Sequence, residues 1–126
     1  MAAKVLLAPS PPDFTIAASN YERQLIMAIQ IGNYNFDGPH HSVNGLRNAS
    51  GVYVILGGDG TTPWNVVDIG ESGDVRARVE THDRAGSWKE RRHTKLAAAV
   101  IYVTEQQRKA IEQELRVRFN PPCGDR

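Results

Sequence analysis

The sequence predicts an α+β domain, a small three-stranded antiparallel sheet flanked by helices and preceded by an N-terminal extension. Three observations predict it. "GVYVIL" (51–56) and "NVVDIG" (65–70) are β-branched, apolar runs on either side of a turn-rich segment, the pattern of a hairpin. "KLAAAVIYVT" (95–104) is a third run apolar enough for a strand buried on both faces. "TEQQ" (104–107) is a capping box, and beyond it Ile111, Leu115 and Phe119 recur every four residues, as on one helix face.

Taken in order, residues 1–13 read as an arm or short strand ended by the "PSPPD" break, and "FTIAAS" as a strand. "NYERQLIMAIQIG" has an N-cap residue at Asn20 and a stop at Gly32, which predicts a short helix. Residues 33–50 are polar and turn-rich and read as loop. The adjacent His40 and His41 within them have no clustered ligands in sequence and read as surface residues. "GGDGTTP" supplies the hairpin loop; Trp64 after it reads as core, with an exposed stacking platform as the second reading. Ser72 or Gly73 then caps a helix, "DVRARVETHDRAG", with Asp74 in its first turn and Gly86 at its end. The final helix runs from Glu105 to Phe119 and is stopped by "NPPCG". The extension is expected to span 1–49 and the main domain 50–126.

A chain of 126 residues, 40% hydrophobic and 23% charged, fits one globular domain. No apolar run is long enough to span a membrane, and "VLLA" is too short for a signal-peptide core, so a cytoplasmic protein without membrane partners is expected. The single Cys123 excludes an internal disulfide and any multi-cysteine zinc site. The net charge of +1 is unevenly spread: residues 1–70 hold three bases and five acids, residues 71–126 twelve bases and nine acids. Most bases of the second part are arginines, whose planar fork suits phosphate; a solvated helix surface is the plainer reading.

Three features carry chemistry. Asp68 is an acid inside an apolar strand, where an unpaired carboxylate is costly; it faces water, or it has a partner or a task. Arg78 and His82 are four apart on the predicted helix, so a guanidinium and an imidazole share one edge of its apolar stripe, a pair suited to holding a phosphate. Glu112 borders the apolar face of the last helix, where one carboxylate and waters suffice for Mg²⁺; a surface pairing with Lys109 or Arg108 competes with that reading. Glu105 and Glu114 could serve the same purpose but should point more to solvent.

These residues, in this order, resemble the GIY-YIG nuclease superfamily over roughly residues 50–124. "GVY" (51–53) and "DIG" (68–70) look like its two half-motifs, Arg78 and His82 match its helix, and Glu112, Leu115 and Pro121 match its C-terminal segment. The sequence departs from the pattern at Asp68, in place of the second motif's tyrosine, and at "CG" (123–124), where the family often has asparagine. The resemblance implies an endonuclease that hydrolyses DNA phosphodiesters with one Mg²⁺ or Mn²⁺. Tyr53 would orient or activate water, Arg78 would stabilise transition-state charge, His82 would assist proton transfer and Glu112 would hold the metal. Asp68 would serve as an added metal ligand or as a proton acceptor. Arg76, Arg84 and Lys89 would contact the nucleic acid. The competing reading is a catalytically degenerate binding or interaction module on the same scaffold.

Overall fold

A computed structural model describes residues 4–7, 28–61, 63–91 and 93–124. It contains β1 (Lys4–Leu7), β2 (Ala28–Ile31), β3 (Tyr34–His40), β4 (Gly51–Gly58), β5 (Trp64–Ser72), α1 (Val75–Glu80), α2 (Ala85–Glu90), β6 (Lys95–Tyr102) and α3 (Glu105–Phe119). The class is α+β, but the sheet is larger than the three strands expected. Five antiparallel strands run in the order β2-β3-β6-β4-β5, and β1 pairs with both β2 and β5, closing a six-stranded barrel.

The missed strands lie in the segment expected to be a separate extension. Ile29, Ile31, Tyr34 and Phe36 alternate along a hairpin whose two-residue turn is Gly32-Asn33, with Ile31 paired to Tyr34. Gly32 has a φ of 60°. A glycine followed by asparagine ends a helix or turns a hairpin equally well, and tertiary pairing with β6 through Asp37–Val100 selects the strand. The helix expected over 20–32 is therefore a strand from Ala28 onward, and much of the expected loop 33–50 is β3. Residues 14–19, expected as a strand, and 20–27 lie outside the described residues.

β4 is buried along its whole length, paired by β5 on one side and β6 on the other. Its side chains alternate between two cores. Val52, Val54 and Leu56 pack with Ile29, Ile31, Phe36, Val66, Ile69 and the Ile111, Leu115 and Phe119 stripe of α3. Tyr53 and Ile55 pack on the opposite face with Val67, Val75, Trp88, Val100 and Cys123, under α1 and α2. Trp64 packs at the margin of the first core.

The capping box and the span of α3 match expectation: the Thr104 hydroxyl accepts from Gln107 N–H, and Gln107 answers to the Thr104 backbone. Asn120, in the left-handed region at φ 46°, closes the helix. The single helix expected over 74–86 is instead two. Asp74 is the N-cap of α1, accepting from Ala77 N–H, and α1 ends at Thr81, whose hydroxyl donates to the Ala77 carbonyl. Gly86 lies within α2 rather than stopping a helix. Among the described residues, no helix is long and apolar enough to cross a membrane.

Leu115 is fully buried where α3 meets the barrel, whereas Val117, two residues on, is 80% exposed. Leu115→Ala is expected to cost about 2–5 kcal/mol in urea unfolding, and Val117→Ala less than about 0.5 kcal/mol.

Candidate active site around Tyr53, His82 and Asp68

The site is built on the hairpin. Ile55 pairs with Asp68 but Leu56 with Val66, so Val67 is an extra residue, a β-bulge in β5. The bulge breaks the inward–outward alternation: Val66 and Ile69 join the inner core, while Val67 packs on the opposite face and the Asp68 carboxylate meets α2 there.

Asp68 is fully buried and fully engaged. Its Oδ2 accepts from Arg84 Nε at 2.8 Å and Trp88 Nε1 at 2.7 Å. Its Oδ1 accepts from Ile69 N–H at 2.8 Å, Arg116 Nη2 at 3.1 Å and Arg84 Nη2 at 3.3 Å. Burial, the largest single influence, opposes the charge on Arg84, but the hydrogen bond and charge of Asp68 together with Tyr53 and Asp83 outweigh it and raise the Arg84 pKa. With both oxygens surrounded by donors and no exposure, Asp68 has no lone pair facing solvent for a metal or a water. Asp68 is held in a bridge, and the awkward acid in the strand has partners.

Arg116 extends this hub. Its Nε donates to Glu112 Oε2 at 2.7 Å, and its Nη2 to the Ile69 carbonyl as well as to Asp68. The partner of Glu112 is thus Arg116, not Lys109 or Arg108. The "PPCG" segment folds over the same pair: Cys123 N–H donates to the Val67 carbonyl at 3.1 Å. A Cβ on Gly124, whose φ is 97°, would lie 2.7 Å from Asp68 Oδ1. A larger residue there would collide with the bridge.

On the neighbouring stretch of β4, the Tyr53 hydroxyl lies 2.6 Å from His82 Nε2, and both groups are buried. Tyr53 owes its place to Gly70, across the hairpin: a Cβ there would overlap the Tyr53 hydroxyl. His82 stands in the break between α1 and α2, not on a helix, and its ring packs 4.7 Å from Trp88. The backbone N–H of Arg84 donates to His82 Nδ1 at 2.9 Å. That assigns the proton to Nε2, so His82 donates to Tyr53 and the phenolic proton is left free to be donated onward. Burial, then the charges of Arg78 and Arg84, lower the His82 pKa to about 4, and burial raises that of Tyr53. At neutral pH both are uncharged.

The Arg78 charge favours the ionised form of Tyr53 against burial; its side chain is 38% exposed and pairs with the exposed Asp83 at 3.2 Å. Arg78 and His82 do not share one helix edge as their spacing predicted; they meet through Asp83, whose Oδ1 lies 3.2 Å from Arg78 Nη2 and 3.2 Å from His82 Nδ1. The residues expected to touch nucleic acid divide. Lys89 is exposed on α2, Arg76 donates to Asn44 Oδ1 at 3.2 Å, and Arg84 is committed to Asp68. Sequence reasoning missed Trp88 and Arg116; an acid within a buried strand is the signal that asks for such donors.

For a divalent ion, Glu112 offers one carboxylate on the wall of a cleft of about 530 Å³ shared with Glu71, Lys109 and Gln113. Among the described residues no three His, Cys, Asp or Glu side chains group as a preformed metal centre. The donor set fits an ion of the magnesium type, which takes one carboxylate and completes its shell with water and substrate phosphate. Glu114 and Glu105 are engaged elsewhere, Glu114 by Tyr34 at 2.7 Å and Glu105 by Arg108 and Lys109.

Removing the Asp68 carboxylate takes from Arg84 its buried partner and leaves Arg116 with Glu112 alone; Asp68→Ala is expected to cost about 3–5 kcal/mol, measured by urea unfolding at pH 7. His82 gives a pH signature. The unfolded chain protonates it near 6.5 and the folded chain only near 4, so its contribution is complete above pH 6.5 and is lost as pH falls toward 4. His82→Gln should flatten the dependence of the urea midpoint on pH within that window.

Comparison of the chain with protein-family models, curated proteins and solved structures found no match.

Proposed function

We propose that the protein is a GIY-YIG-like endonuclease that hydrolyses DNA phosphodiester bonds with a divalent metal. The observation that carries this reading is the convergence of a buried phenol, a neutral imidazole and a solvent-facing guanidinium, with Tyr53 and His82 2.6 Å apart and Arg78 acting on the same hydroxyl. Arg78 is the group a phosphate meets first. Exchanging the exposed Asp83 carboxylate for a phosphodiester keeps its charge paired and brings the phosphorus to the Tyr53 hydroxyl. There the phenol donates its free proton to a phosphate oxygen or aligns water, while Arg78 stabilises the charge that builds on the phosphoryl oxygens. His82 holds the phenol by donating to its oxygen. Glu112 would hold the Mg²⁺ or Mn²⁺, which supplies Lewis acidity toward the phosphate and leaving oxygens when bound.

The second reading, a nucleic-acid-binding module without turnover, is supported by the 2.7 Å pair between Glu112 and Arg116, because a guanidinium competes with a cation for that carboxylate. Nicking of supercoiled plasmid in Mg²⁺ and in Mn²⁺ separates the two. For the nuclease, activity is metal-dependent and falls at least about 100-fold in Arg78→Ala, the scale of losing one transition-state donor, with a comparable loss in Glu112→Gln. Salt-sensitive DNA binding with no nicking in either metal would favour the module.

A further inference from the structure

We infer that Asp68 is a positioning residue that sets the direction of the hydrogen bond between His82 and Tyr53, acting through Arg84. The inference deepens the proposed function and rests on the Tyr53–His82 pair being its working part.

Two groups compete for His82 Nδ1. The Arg84 backbone N–H is a donor at 2.9 Å, and the Asp83 carboxylate, with Oδ1 at 3.2 Å, is an acceptor. They demand opposite tautomers. With Arg84 N–H in place, Nδ1 is bare, Nε2 carries the proton, and His82 donates to the Tyr53 oxygen. With Asp83 dominant, Nδ1 carries the proton, Nε2 is bare, and Tyr53 must give its hydroxyl proton to His82. Only the first arrangement leaves a phenolic proton for a substrate. Proton count is the same in both; one proton changes nitrogen and the hydroxyl turns over.

Asp68 biases this competition without touching the ring. Its two oxygens hold the Arg84 side chain in a fork, at 2.8 and 3.3 Å, which fixes the residue whose N–H faces Nδ1. Its Oδ2 also holds Trp88 Nε1, and the Trp88 ring backs the imidazole at 4.7 Å. Asp83 is 74% exposed in its side chain and pairs with Arg78, so it has no comparable restraint. The other charged group facing the imidazole is Arg78, which is coupled to Asp83.

The test is ¹⁵N-detected NMR of the histidine ring nitrogens at pH 7 on the full chain. The wild-type His82 should show bare Nδ1 and protonated Nε2. Asp68→Asn removes the charged fork, and the His82 signals should shift toward protonated Nδ1 or average between the tautomers. Adding Asp83→Ala to that variant removes the competing acceptor and should restore the wild-type pattern. Arg84→Ala, which leaves Arg116 and Trp88 to serve Asp68, keeps the test open if Asp68→Asn does not fold, and should produce the same shift. A wild-type His82 protonated at Nδ1, or a folded Arg84→Ala or Asp68→Asn with an unchanged pattern, overturns the inference. The expected spectra without plasmid nicking would overturn the nuclease reading and leave the positioning role standing.

Discussion

The Asp68 carboxylate, enclosed by Arg84, Arg116 and Trp88, is the interaction on which the rest of the structure depends. It joins three segments distant in sequence, the second hairpin strand, α2 with its N-cap and the end of α3, and Arg116 carries the link on to the Cys123 carbonyl of the C-terminal turn. A buried carboxylate is tolerated only when its charge and lone pairs are met, and here two guanidiniums, an indole and a backbone N–H meet them. Against the attraction stands the cost of withdrawing the carboxylate and its two arginines from water. The placement of His82 follows, because the break between α1 and α2 is held by the same fork.

The hub makes Asp68 and Gly124 parts of one arrangement. The Asp68 carboxylate brings a charge into the strand, and Arg116 answers it from α3. Gly124 leaves the room the bridge requires.

The sequence was most legible where its signals were local. The capping box of α3, the apolar stripe Ile111–Leu115–Phe119 and the three runs that form β4, β5 and β6 rest on short-range chemistry and stand as read. β2 and β3 were hidden because Gly32 suits two structures and only pairing with a distant strand decides between them. The spacing of Arg78 and His82 presumed one continuous helix, and the break between them was not legible, because His82 lies beyond the helix and meets Tyr53, 29 residues earlier. Arg116 looked like one more basic residue on an exposed helix, and nothing near it in sequence announces an acid 48 positions upstream.

The bulge at Val67 has a mechanical consequence. It splits the β4–β5 hairpin into two lengths of ladder with separate phase: Leu56 and Gly57 keep one register, and Gly51 through Ile55 keep another. The inner length carries the Tyr53–Gly70 match and the arginine bridge, whereas the outer length leads into the turn that follows Gly58; β6 pairs along both. The phase that seats Tyr53 against Gly70 is thereby set apart from the phase of the length that leads to the turn, and the site's side of the hairpin has a register of its own.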